Sequence, residues 1–464
     1  MKQFTPTSFL GWMKLENPRS TLALMRLDSP KPLLTLCFAL LGFSLAQGTP
    51  SFFAPLENNP NLLQARYSLE AAQAQLRALQ SPVSLQGQGG VSFIQASPPP
   101  GAPTCPAAGP QICADISGTG RNISLGLAFT PFAFGDVADQ VNGAAIGVEQ
   151  AQLGYRQARA QLEGQAVEAF YRVQLAGSGL ETARVGLRLA QANLEATKVR
   201  DARGAANPGE VRSAEANLRQ AAVQVSDAER NLALAQGGLA DLVGNSTAQP
   251  PKLTVPQAAT PPAVRQAELQ KAQAQLNYEK AVRSVLPVLQ GSYTRYTSPS
   301  DTVSLSINSR TLQPTLNYTN QTPSSRTQPE DRINGNLTIG LSLNLSLGLG
   351  DALNAAQKQV DAANQALDAA KRSAKLQEDS LKSALQTAEQ SLANANQALT
   401  DAQKSLEEAR ERERLGLASP LATLQAELAL AQAQTAAVQA DLSRTQRVLD
   451  LYRFYAVPPS EVNK

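Results

Sequence analysis

Two groups of side chains in this sequence have the types and spacing to do chemistry. Cys105 and Cys113 stand eight residues apart in a loop rich in Pro, Gly and Ala (residues 96–120). Glu407, Glu408, Arg410, Glu411, Arg412, Glu413 and Arg414 form a dense run of mixed charge. Neither group suits catalysis. The cysteines lack a metal-ligand spacing, and their choice lies between a disulfide and two free thiols, with export favouring the disulfide. The charged run can form ion pairs or simply solvate an exposed helix. Histidine is absent, which removes His-based triads, His metal sites and His acid-base catalysis together. The chain is therefore read as no enzyme, with no cofactor and no metal. A net charge of +3, from 41 basic and 38 acidic residues, lacks the basic excess that draws a protein to nucleic acid. Aromatic residues make up 5% of the 464, too few for a large aromatic core.

The elements that must position the charged run are long helices. From Asp351 to Gly416 apolar or small residues, with Gln377 the one polar exception, recur in steps of three and four: Leu353, Ala356, Val360, Ala363, Leu367, Ala370, Ala374, Gln377, Leu381, Leu385, Ala388, Leu392, Ala395, Leu399, Ala402, Leu406 and Ala409. No proline interrupts them, and the repeated step of four across Gln377, Leu381 and Leu385 marks a local register shift in a coiled coil. Such a helix spans roughly 95–100 Å at 1.5 Å per residue, so it must lie against other long helices. Ala355, Ala362, Ala366, Ala369, Ser373 and Ala384 form a second strip of small residues, which suits neighbours on both sides.

Taken in order, residues 1–46 are expected to be a secretory signal: a basic start at Lys31, an apolar run, then Ser44 and Ala46 before Gln47. A start at Met25 gives a more ordinary signal, so residues 1–24 are expected to precede the working start codon. Cys37 follows Leu36 where a lipoprotein signal needs a small residue, and no lipid anchor is expected. A first repeat follows over residues 47–245: a short helix, a β hairpin (83–134) and a long helical hairpin (136–244). Residues 246–262 read as a proline-rich linker. A second repeat occupies residues 263–457, with a β region (287–349) and a helical hairpin (351–455), ahead of a tail (458–464). Gly204 and Gly209 mark the first helical turn, and Gly416 and Pro420 the second.

The strands alternate sharply. Leu337, Ile339, Leu341, Leu343, Leu345 and Leu347 interleave with Thr338, Gly340, Ser342, Asn344 and Ser346, giving one face for hydrocarbon and one for water. A half-buried soluble sheet is the alternative. Two hairpins supply four strands, which cannot close a barrel, so several chains must share one.

On these features the chain resembles the TolC family of outer-membrane efflux proteins. The resemblance rests on the two repeats, on Ser81-Pro-Val-Ser-Leu-Gln-Gly87 and Val285-Leu-Pro-Val-Leu-Gln-Gly291 before the strands, and on the segments Gly204 to Ala214 and Gly416 to Ala426 after the long helices. It implies a mainly α fold with β: a coiled-coil α-helical barrel plus four transmembrane β-strands per protomer, in a homotrimer with a twelve-stranded β-barrel. It implies an outer-membrane location with a long periplasmic tunnel that works as a passive exit duct for an inner-membrane pump reached through a periplasmic adaptor. Glu210 matches the family's acidic position on the first turn, and Arg414, with Arg412 second, is expected to meet it where the hairpins converge. Ala422 and Gln425 stand where carboxylates are common, so a mouth of low acidity is expected. A non-conducting coiled-coil tether or adhesin is the competing reading; a periplasmic adaptor fits less well, since adaptors carry one hairpin flanked by soluble β-domains.

Overall fold

The protein is seen here in a computed structural model that describes residues 52–96, 116–244, 248–298, 300–322, 335–343 and 348–461. All of them lie in the unit Thr49–Lys464. The expected signal and the Cys105/Cys113 pair lie outside the described residues, as do Leu345 and Leu347.

A 3-10 turn at Ala54–Asn58 leads into α1 (Pro60–Leu79), β1 (Val83–Ala96), β2 (Ile116–Phe129), α2 (Asp136–Ala202) and α3 (Pro208–Val243). The second pass runs through α4 (Pro262–Val285), β3 (Val288–Tyr296), β4 (Asp301–Asn308), β5 (Thr315–Thr322), β6 (Gly335–Ser342), α5 (Leu349–Arg414) and α6 (Pro420–Tyr455). Helices α2 and α5 hold 67 and 66 residues, or about 100 Å each at 1.5 Å per residue. Each long helix packs against the two shorter ones beside it in sequence: α2 against α1 and α3, α5 against α4 and α6. The passes meet where α2 lies against α6 and α4.

The five buried residues of α5 are Leu367, Ala374, Leu385, Ala388 and Leu406, and every one falls on the three-and-four seam. Leucine facing alanine lets helices approach closely while burying little area each. The main core is elsewhere, partway along the bundle. There Phe52 and Phe53, just ahead of the first turn, and Leu56 within it meet Leu162, Ala166 and Val167 of α2, Leu253 of the linker, and Val448, Leu449, Leu451 and Tyr452 of α6. The Tyr452 hydroxyl donates to the Thr254 carbonyl at 2.9 Å, fastening the linker. The C-terminal segment is also held: Glu163, 3% exposed, accepts from the backbone N–H (2.8 Å) and hydroxyl (2.7 Å) of Ser460. Among the described residues no helix is long and apolar enough to cross a membrane.

The strands form one antiparallel sheet in the order β1-β2-β5-β4-β3-β6. This corrects the expectation of four strands per protomer, because six are described. The extra pair is the β4–β5 hairpin, inserted between β2 and β3. Its strands are eight residues long with few apolar positions (Val303, Leu305 and Ile307; Leu316 and Tyr318). Runs so short and so rich in Ser, Asn and Thr carry too little period to separate from loop.

Candidate functional site

The two helical turns are built alike. Helix α2 ends with Gly204 at φ +73°, where the Ala205 N–H reaches back to the Arg200 carbonyl at 2.8 Å. Helix α5 ends with Gly416 at φ +70°, and the Leu417 N–H reaches the Arg412 carbonyl at 2.7 Å. Only glycine enters that left-handed region without a Cβ penalty, and the six-residue return satisfies a carbonyl that the helix leaves open. The next helix starts the same way in both. Asn207 accepts from the Glu210 N–H at 2.9 Å ahead of Pro208, and Ser419 accepts from the Ala422 N–H at 3.4 Å ahead of Pro420. A polar cap followed by proline fixes the entry angle, so both hairpins fold back within a few residues. Gly209 lies in the first turn of α3, where an added Cβ would come within 2.9 Å of the Asn207 cap oxygen.

Within one protomer the turns do not bring Glu210 and Arg414 together. Glu210 faces Arg200 across its own turn at 3.6 Å, Arg414 is bound to Glu411 at 2.6 Å, and Arg412 faces Glu408 at 3.8 Å. Ala422 is half-buried under the Ser419 cap, and Gln425 is exposed.

A different residue links the hairpins. Glu427 of α6 faces Arg188 of α2 at 3.5 Å and accepts from Arg410 of α5 at 3.1 Å. Farther along the same α2–α6 seam, the Thr182 hydroxyl bonds the Thr435 hydroxyl at 2.9 Å. Beyond that, Glu168 accepts from Gln446 at 2.8 Å, from Arg172 at 2.7 Å and from Arg453 at 3.4 Å. Sequence reasoning missed this ladder. Thr435 on the apolar seam of α6 was its one local signal, a polar residue where leucine or alanine is the rule.

Burial alone would raise the Glu168 carboxyl, but the hydrogen bonds from Gln446, Arg172 and Arg453 hold it below its ordinary 4.5. A carboxylate with a depressed folded pKa stabilises above its unfolded value and loses that contribution as pH falls through the folded one. Glu168→Gln is therefore expected to cost about 1–2 kcal/mol at neutral pH. Unfolding curves of the two proteins from pH 7 downwards should converge once pH drops below 4.5 and through the lowered value.

The sheet presents two unlike faces. One residue per strand lines up across all six in the register Leu85, Leu127, Leu316, Leu305, Tyr293, Leu337. The next row, on the opposite face, reads Gln86, Gly126, Asn317, Ser304, Thr294, Asn336, and the row preceding the leucines reads Ser84, Ala128, Thr315, Ser306, Ser292, Thr338. Over these three rows one face is hydrocarbon and the other is mostly hydroxyl and amide, while toward the strand ends away from the helices the first face also carries Arg295, Asp301 and Asn320. The sequence model of the outer membrane efflux protein family matches residues 54–245 and 258–456. The chain belongs to the outer membrane efflux protein family. Its members are channels and not enzymes.

Solved structures share the fold at low identity. The outer membrane channel CmeC of Campylobacter jejuni is 18% identical, with 87% of this chain and 84% of that one aligned and a TM-score of 0.60. The outer membrane protein VceC of Vibrio cholerae is also 18% identical, over 87% of this chain and 94% of its own, at a TM-score of 0.59. The open state of the MtrE outer membrane channel of Neisseria gonorrhoeae aligns over 87% of each chain at 18% identity and a TM-score of 0.55. No curated protein matches.

Proposed function

We propose that this efflux-family protein is the passive outer-membrane exit duct of a tripartite efflux or type I secretion assembly. Three copies share one β-barrel in the outer membrane, and their helical hairpins form one tunnel through the periplasm. A periplasmic adaptor connects the tunnel to an inner-membrane pump, which supplies the energy and selects the cargo. The observation that carries this reading is the two-faced sheet at one end of the long hairpins. Its leucine face suits outer-membrane lipid, and its Ser, Thr and Asn face suits a water-filled lumen.

The far end of the hairpins is the docking end. Its second turn exposes Leu417 (76%) and Leu415 (55%), apolar tips that an adaptor can cover. Ala422 and Gln425 stand where the family commonly has carboxylates, so a mouth less acidic at those positions, with weak cation selectivity and weak block by multivalent cations, is expected.

Planar-bilayer recording tests the reading. The purified protein should carry an open-lumen current, whereas a coiled-coil tether or adhesin carries none. The mouth opens when the two hairpins of a protomer separate, and Glu427, held by Arg188 and Arg410, is a charged link across that seam close to the turns. Glu427→Gln should raise single-channel conductance about twofold or more without dissociating the assembly, a few broken ion pairs being enough to bias two states separated by a few kcal/mol. Glu210→Gln and Arg414→Ala probe a second contact, between the turns of neighbouring protomers. If all three variants conduct as the parent does, the restriction lies elsewhere.

A further inference from the structure

We infer that the shared barrel has eighteen strands, three copies of the six-stranded sheet, closed by antiparallel pairing of β1 of one copy with β6 of the next. This rests on the duct reading for the number of copies. The interface itself is argued from the sheet.

Four of the six strands are paired on both sides, and the outer two are not. Among the described residues β1 bonds only β2, and β6 bonds only β3. In a bilayer each open N–H or C=O costs several kcal/mol, so two bare edges cannot face lipid. The partner they fit is another copy of the same sheet. Every adjacent pair in the order β1-β2-β5-β4-β3-β6 is antiparallel, so β1 and β6 run in opposite directions. Setting β1 against the next copy's β6 continues the alternation with no parallel pair at the joint.

The faces match across that joint as well. Both edge strands carry leucine in the apolar row and an amide in the polar row: Leu85 with Gln86, and Leu337 with Asn336. Within the apolar row the edge members Leu85 (75% exposed) and Leu337 (66%) stand more open than Leu127, Leu316, Leu305 and Tyr293, which fall between 41% and 49%. A flanking strand on each side would bring the edge members level with the rest.

The strand count depends on β4 and β5 belonging to the wall rather than folding over it, and both ends of that hairpin are fastened. At its helix-side turn Arg310 donates to the Ser284 carbonyl at 3.0 Å, the Asp136 N–H reaches the Arg310 carbonyl at 3.2 Å, and Gln313 donates to Thr130 at 2.5 Å. The turn therefore grips the junctions of both repeats. At the opposite end Asp301 accepts from Ser298 at 2.6 Å, Tyr318 at 2.8 Å and Asn320 at 2.5 Å. Between those ends β5 bonds β2 and β4 bonds β3, leaving β2 and β3 two strands apart. Because barrel diameter grows about linearly with strand number, eighteen strands give a bore roughly 1.5 times that of twelve. The outer-membrane section is then wide, water-filled and lined by Ser, Thr and Asn, and the narrowest point lies at the helical end.

Disulfide scanning of the intact protein in detergent, with Cys105 and Cys113 replaced by Ser, tests this, since cysteines more than about 7 Å apart between Cα atoms cannot bridge. Gln86→Cys is combined in turn with Cys at each position from Asn336 to Leu341, to cover any barrel stagger. At least one combination should give covalent two- and three-chain species on oxidation, and neither single variant should. Leu127→Cys with Leu316→Cys should close an intramolecular bond, whereas Leu127→Cys with Tyr293→Cys should not. A native mass of three chains with no β1–β6 cross-link, or with the Leu127–Tyr293 bond formed instead, overturns the eighteen-stranded barrel and leaves the duct standing. A native mass of one or two chains overturns the three-copy duct itself.

Discussion

Arg283→Ala is expected to destabilise the folded protein by about 3–5 kcal/mol, the cost of stranding a buried charge. Arg283, in the last turn of α4, donates to Asp139 in the first turn of α2 at 2.5 Å. Asp139 is only 2% exposed, and its second carboxylate oxygen is buried without a partner among the described residues, so losing the guanidinium strands a buried carboxylate. Each charge also suits its helix end, the acid at an N-terminus and the base at a C-terminus. Denaturant or heat unfolding measures the loss. Adding Asp139→Leu to Arg283→Ala should recover much of it, because an apolar pair needs no counter-ion. If the single variant unfolds with the parent, Asp139 is hydrated and the pair is ornamental to the fold.

Gly135→Ala should cost about 3 kcal/mol, through backbone strain and a clash together. Gly135 sits at φ +54°, and a Cβ there would fall 1.8 Å from the Arg310 carbonyl oxygen. Both relief routes are closed. The Arg310 carbonyl holds the Asp136 N–H, and Arg310 is itself tied to Ser284. The variant should unfold earlier and expose residues 309–314 to protease. Gly143→Ala is the control: its Cβ would meet only the Leu276 Cδ2 atom at 3.8 Å, so helix propensity should leave it neutral or stabilised by up to about 1 kcal/mol.

The long helices were legible because a seam of Leu and Ala repeated over many turns carries far more signal than any single residue, and Leu367, Ala374, Leu385, Ala388 and Leu406 are buried where that seam puts them. β1 and β2 were legible for the same reason at period two. The β4–β5 hairpin was not, since its five apolar side chains are spread over two strands of eight residues. The charge contacts were read least well. Arg200 meets Glu210 because the turn folds α2 straight back on α3, and Arg188 meets Glu427 because α2 runs beside α6. Local pattern shows that a residue is charged and on a helix. Its partner depends on how far two helices slide past each other over their whole lengths, which no short window contains.

Of the six described strands, β1, β2, β3 and β6 each precede or follow a helix in sequence, whereas among the described residues β4 and β5 are tied to the helices through residues 309–314. That hairpin is bolted to the collar without passing through it. In the proposed duct, circumference in the membrane and circumference in the periplasm are thus separate variables: a hairpin can be gained or lost beyond the helices while every helix keeps its register. Under that reading the outlet can widen without any change to the turns at the docking end.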